Sequence, residues 1–270
     1  MDWARIMVPL TGGEGDSRVI EAGAKVAELF GAELAGVYAP ADVSDLIPWM
    51  GDGYMGGMQP SALDSLRDAA AAGEAAAQAH LNACAYGKKS IVSLASPVWA
   101  ALAMEGRLSD LVVFDDAPAR GKGALSQFFQ QIVADEQRPT LVVRAGLRVG
   151  GVIAVAWDGG KEASRAVRTA LPLLQKSSSV VILTAPSASA RKSDPGALQT
   201  FLGVRGVKST VEVLPGGGDP AHALIKAAKA AAADILVAGA FGHPRLQEFI
   251  FGGTTRTLLQ GDGPSLFISH

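Results

Sequence analysis

The chain has 270 residues, a formal net charge of −2, 49% hydrophobic and 19% charged residues, and a single cysteine. At about 100–200 residues per domain this length holds two small domains or one large one, and either buries a core without disulfides or a structural metal. A near-neutral balance, with an isoelectric point of 6.1, excludes the basic footprint of a general nucleic-acid binder, and Cys84 alone excludes a disulfide framework or a cysteine-based zinc site, as in a reducing cytoplasm.

Strand-like and helix-like segments alternate from the start. Arg5–Leu10 is a short apolar run that breaks at Thr11-Gly12-Gly13. Asp16–Phe30 then carries Val19, Ala22, Val26 and Leu29 at helical spacing, and Gly31 closes it. Ala32–Ala39 reads as a second strand, followed by an alanine-rich helix over roughly Ser61–Ala85. Ile91–Leu94, Leu111–Phe114 and Thr140–Val143 are short runs of the kind buried on both faces of a parallel sheet. Between them, helices are expected near Pro97–Glu105 and Leu125–Glu136. The pattern then restarts. Val152–Trp157 ends at Asp158-Gly159-Gly160, a helix follows over Glu162–Leu174, and strands are expected at Val180–Ala185, Ser209–Leu214, Ile235–Ala240 and Leu266–Ser269, with helices at Pro220–Ala233 and Thr254–Gln260. Alternation of this kind predicts βαβ units and parallel sheets with helices on both faces.

The restart is visible residue by residue. Val8 to Arg18 lies over Val155 to Arg165 without a gap, and Asp110-Leu111-Val112-Val113 over Asp234-Ile235-Leu236-Val237. Two tandem domains are therefore expected, 1–146 and 150–270, joined where Ala145–Gly151 gathers two glycines. The first carries an insertion over Pro40–Pro60, rich in Gly, Met and Asp, which reads as a surface or interface loop. The longest apolar stretch, Ala230–Phe241, is broken by Asp234 and falls short of the ~18–20 residues of a membrane span. With no signal-like segment before the first strand, the chain is expected to be soluble and cytoplasmic.

The chemistry concentrates in the second half. After the strand at Ile235–Ala240 come Gly239-Ala240-Phe241-Gly242, nine further residues, and Gly252-Gly253-Thr254 at a helix start. Glycines leave backbone N–H groups unshielded, and at a strand end and a helix N-terminus such groups converge on an anion. Asp158 sits at the carboxyl end of its strand, where open α/β sheets place their ligands. Its carboxylate either accepts from an adenine amino group or ribose hydroxyls, or it organises the turn and caps the next helix.

Gly239-x2-Gly242-x9-Gly252, with Asp158-Gly159-Gly160 and Gly218-Asp219-Pro220, resembles the universal stress protein family across nearly the whole chain, as two tandem domains. The resemblance implies two tandem open parallel five-stranded sheets with helices on both faces, of the adenine-nucleotide alpha-hydrolase type. It also implies binding of ATP or another adenine nucleotide, and pairing through the last strands. Carried over position by position, Asp158 stands at the adenine and ribose. Gly239, Gly242 and Gly252 form the backbone cradle for ribose and phosphates, and Val213 and Leu214 stand beside adenine. The position after Gly252, usually serine or threonine in the family, is Gly253 here, and Thr254 follows as a substitute hydroxyl or N–H. No metal is implied beyond a nucleotide-associated Mg.

The first half departs from the pattern. Thr11 stands for Asp158, and Asp115-Asp116-Ala117-Pro118 stand for the first motif glycines, a carboxylate pair expected to repel a polyphosphate. No glycine pair opens the helix near Gln127 and Phe128. That half reads as structural or regulatory. His80, His222, His243 and His270 are scattered without metal-ligand spacing, His243 being placed at the surface beside Gly242. Lys161 reads as a solvated helix-start residue and Cys84 as buried and inert. Neither a Gly-x-Ser-x-Gly elbow nor a Gly-x-Gly-x-x-Gly after a strand is present. The leading expectation is a non-catalytic stress-response protein that binds an adenine nucleotide in its second domain. The alternative is a ligand-free interaction scaffold of the same fold. In either case it would be a homo-oligomer or a pseudo-dimer within one chain, with no nucleic-acid or membrane partner.

Overall fold

A computed structural model describes residues 2–40, 60–94, 98–144, 146–184, 194–240 and 253–270. The first half contains β1 (Arg5–Leu10), α1 (Gly15–Phe30), β2 (Glu33–Tyr38), α2 (Pro60–Ala83), β3 (Lys89–Ser93), α3 (Val98–Arg107), β4 (Leu111–Asp115), α4 (Asp116–Ala119), α5 (Ser126–Ala134) and β5 (Thr140–Val143). The second contains β6 (Val152–Ala156), α6 (Lys161–Gln175), β7 (Ser179–Thr184), α7 (Pro195–Gly203), β8 (Ser209–Val213), α8 (Pro220–Ala230), β9 (Ile235–Gly239), α9 (Gly253–Gln260) and β10 (Ser265–Ser269). Most of the insertion at Pro40–Pro60 lies outside the described residues, as do Gly242, His243 and Gly252.

Two helices depart from expectation. Helix α7 is begun by Asp194, whose Oδ1 accepts from the Gly196 N–H at 2.8 Å, with Pro195 in the first turn. Only Leu198 and Leu202 are buried along it, so its apolar stripe is too short to stand out as periodicity. Helix α4 is a single turn where an irregular carboxylate pair was expected.

The strands run in the order β3-β2-β1-β4-β5-β10-β9-β6-β7-β8, so two five-stranded sheets join edge to edge. Every pair is parallel except β5 with β10, which meet antiparallel with Leu266 opposite Val142, Phe267 opposite Leu141 and Ile268 opposite Thr140. The register supports the internal repeat: Ile6 lies opposite Leu111, and Ile153, its counterpart, opposite Ile235. The central strands are buried along their length because helices cover both faces. One core layer gathers side chains of α1, α2, α6 and α7, the other those of α3, α5, α8 and α9, and each runs through both halves. Trp3 secures the seam, stacked on Phe267 with centroids 6.2 Å apart and tilted against Phe30 at 4.8 Å. Because β5 and β10 are antiparallel, the carboxyl ends of the two sheets open on opposite sides of the molecule.

Candidate functional site

In each half the strand order reverses between the first strand and its partner, β1 beside β4 and β6 beside β9. The crevice beyond the carboxyl ends of such a pair is where an open α/β sheet accepts a ligand. In the second half β6 runs out at Trp157 and Asp158. Asp158 is exposed, and its Oδ1 accepts from the Gly160 N–H at 2.7 Å, ordering the turn into α6 while Gly159 takes φ +73°. Oδ2 has no hydrogen-bond partner among the described residues, so one acceptor stays available while the other orders the turn. Both readings of Asp158, turn organiser and ligand acceptor, are thus compatible.

Gly239 ends β9, and α6 explains why it must be glycine. A Cβ there would stand 2.5 Å from the Glu162 carbonyl carbon and 2.6 Å from the Ala163 nitrogen. The first turn of α6 therefore lies directly on the end of β9. Gly253 opens α9, exposed and with open space where a side chain would be, and Thr254 follows, also exposed. The N–H groups of this first turn have no intrahelical acceptors. Leu214 is buried against the core and its N–H donates to the Thr184 carbonyl at 2.8 Å, whereas Val213 is 63% exposed. Of that pair, only Val213 presents a free apolar surface at the carboxyl edge. Gly242 and Gly252 belong to residues that the structure does not describe.

Asp219 has a local task. It caps α8 by accepting from the Ala221 N–H at 2.9 Å and holds His222 Nδ1 at 2.7 Å. These bonds, the Ala221 N–H first, hold its carboxyl below the usual carboxylate range. Sequence reasoning missed Trp157, whose indole N–H is buried without a partner among the described residues, immediately before Asp158. No composition or spacing signals such a donor.

The equivalent place in the first half holds a cavity of about 140 Å³, lined among others by Thr11, Asp16, Phe114, Asp115, Pro118 and Lys122. This is below the ~300–1,000 Å³ of common ligand pockets. The carboxylates there are not a bare repulsive pair, which corrects the sequence expectation. Arg18 Nη2 donates to Asp115 Oδ2 at 2.8 Å and stands 3.5 Å from Asp116 Oδ1, and Arg120 Nε lies 3.2 Å from Asp116 Oδ2. Asp16, 4% exposed, accepts from the N–H groups of Thr11 and Gly12 at 3.1 and 2.8 Å. Burial pushes its carboxyl up, and those N–H bonds oppose the rise. Cys84 is half-buried against the core rather than fully buried.

Lys161 Nζ lies 3.5 Å from Glu162 Oε1. Among the described residues no group of three or more His, Cys, Asp or Glu is placed to hold a metal ion, and no helix is long and apolar enough to cross a membrane.

Residues 151–261 match the model of the universal stress protein family. The fold is similar to a universal stress protein from Archaeoglobus fulgidus DSM 4304, at TM-score 0.71 and 14% identity over 98% of this chain and 95% of that one. A functionally unknown protein from Pseudomonas aeruginosa PAO1 is similar at TM-score 0.58 and 14% identity, over 99% and 92% of the two chains. The cytoplasmic domain of a prokaryotic cation chloride cotransporter is similar at TM-score 0.51 and 13% identity, over 98% and 95%. At these identities the likeness is one of fold. No curated protein matches the chain.

Proposed function

We propose that the protein, whose residues 151–261 match the universal stress protein family, is a non-catalytic, cytoplasmic binder of an adenine nucleotide. The ligand sits in the crevice between β6 and β9, with adenine and ribose toward Asp158 and Val213. The phosphates lie toward the backbone of Gly239, Gly242, Gly252 and Gly253 and the Thr254 hydroxyl. The observation that carries this reading is Asp158, exposed at the end of β6 with Oδ1 committed to Gly160 and Oδ2 unpartnered among the described residues. Isothermal titration with ATP, ADP and AMP is expected to give binding heat for at least one of them. Asp158→Ala is expected to weaken it at least about tenfold, as loss of a charged hydrogen-bond acceptor does. Absence of heat for all three nucleotides ends the proposal.

A ligand-free interaction scaffold is the second reading. It is favoured by Gly253, which supplies no hydroxyl at the head of α9, and by the Arg18–Asp115 pair that closes the equivalent place in the first half. On this reading Asp158→Ala leaves partner binding unchanged.

A further inference from the structure

The internal repeat allows the two crevices to be compared charge by charge. Glu14, Asp16 and Arg18 of the first half correspond to Lys161, Ala163 and Arg165, and Asp115 and Asp116 correspond to Gly239 and Ala240. The register of β1 on β4 and of β6 on β9 supports that correspondence. At these five positions the first half carries four carboxylates and one guanidinium. The second half carries two cations and no carboxylate. Glu162 and Asp158 supply the nearby acids of the second half. Glu162 is buried beside Lys161, and Asp158 Oδ1 is held by the turn.

In the first half this geometry has a visible consequence. Arg18, on the second turn of α1, reaches the last residue of β4, and its guanidinium is occupied by Asp115 and Asp116. Helix α6 bears the same relation to β9, since its first turn touches Gly239. Arg165 thus occupies the position from which Arg18 makes its ion pair, but the carboxylates are gone from the strand end. It is exposed, and its guanidinium has no hydrogen bond or ion pair among the described residues. Its charge is felt at His270, just after β10: burial foremost, and then Arg165, hold that imidazole below its usual value.

We propose that Arg165 is an anion-binding residue of the second half, its guanidinium taking the place toward a ligand phosphate that Arg18 takes toward Asp115 and Asp116. The ligand itself supplies the charge that the first half supplies from its own chain. A guanidinium matches a phosphate's oxygens by a two-pronged hydrogen bond, and the N-terminus of α6, the helix that carries Arg165, favours the same charge. This inference rests on the nucleotide reading for the identity of the ligand, but not for the anion site.

The test titrates the intact protein with ATP, adenosine and inorganic tripolyphosphate, for the natural chain and for Arg165→Ala, Arg165→Lys and Lys176→Ala. Lys176 is an exposed cation at the opposite end of the same helix and reports any general charge effect. Arg165→Ala is expected to weaken ATP and tripolyphosphate at least about tenfold and leave adenosine unchanged, with Arg165→Lys in between and Lys176→Ala within about twofold of the natural chain. Matching melting temperatures establish that the exposed substitutions leave the fold intact. Tripolyphosphate binding that depends on Arg165, without any adenosine or nucleotide preference, would keep the anion site and dismiss the nucleotide. ATP bound equally by the natural chain and Arg165→Ala would do the reverse. A chain that binds neither anion overturns the inference.

Discussion

Thr11 and Asp158 stand at equivalent turns, yet the carboxylate that orders each turn comes from a different residue. In the first half it is Asp16, in the first turn of α1, reaching back to the N–H groups of Thr11 and Gly12. In the second half it is Asp158 itself, and the counterpart of Asp16 is Ala163. Moving the acid from the helix to the turn exposes a carboxylate at the strand end of the second half. Asp219 performs a different service at the start of α8, where it caps the helix and holds His222 Nδ1. Asp219→Ala is expected to lower stability by about 1 kcal/mol, the usual value of an N-cap, measured by urea unfolding at pH 7. Its carboxyl is held below the ordinary carboxylate value of 3.8, so its contribution is complete above that pH and fades as the pH falls through the folded value. The penalty of Asp219→Ala should therefore shrink on acidification, while Asp219→Asn keeps the cap at pH 7. A penalty that stays constant to pH 3 would reject the charge-assisted account.

Arg144 shows how elements of the two halves depend on each other. It follows β5 in the first half, yet its guanidinium caps the carboxyl end of α9 in the second, donating to the carbonyls of Leu258 at 2.7 Å, Leu259 at 3.1 Å and Pro264 at 2.8 Å. Its own N–H donates to Ser265 Oγ at 3.1 Å. Burial lowers its pKa, a sign of how far this cation has been withdrawn from water. Arg144→Met keeps the apolar stem but leaves those carbonyls unsatisfied, so a loss of about 2–3 kcal/mol is expected in chemical denaturation. A loss below about 0.5 kcal/mol would mean water replaces the guanidinium. Nothing about Arg144 in the sequence hints at this, because its partners lie more than a hundred residues away. The strands were legible for the opposite reason: Thr140–Val143 and Arg5–Leu10 are β-branched or apolar runs bounded by polar or glycine turns, and their limits agree with the structure. Helix α7 was missed although Asp194-Pro195 opens it just as Asp219-Pro220 opens α8. Of the candidate site, Asp158 and Gly239 were singled out by their places at strand ends and by the glycine spacing, while the engagement of Asp115 by Arg18 required the fold to bring together residues 97 apart.

The two halves form one sheet because each has an edge it cannot leave open. β5 and β10 are buried along their whole lengths, and as free edges they would expose rows of unpaired N–H and C=O groups beside apolar side chains. Pairing them antiparallel solves both problems at once and makes a ten-stranded sheet with a pseudo-two-fold axis through the seam. Trp3 on Phe267 and the Arg120–Asp262 pair at 2.9 Å add contacts across that seam. The arrangement carries a consequence for the second half alone. A chain of residues 150–270 retains β6 to β9 and their helices, but β10 loses β5, and Phe267 loses the indole of Trp3. An antiparallel edge whose partner was an equivalent strand is close to self-complementary, so a second copy of β10 is the nearest substitute. Residues 150–270 are therefore expected to dimerise in light scattering at micromolar concentration, with the intact chain remaining monomeric. A charge placed at the seam, Phe267→Asp, should return that dimer to monomer or to insoluble protein. Monomeric, well-folded 150–270 with its natural sequence would show that the seam is a convenience of tandem linkage and not a requirement of the edge.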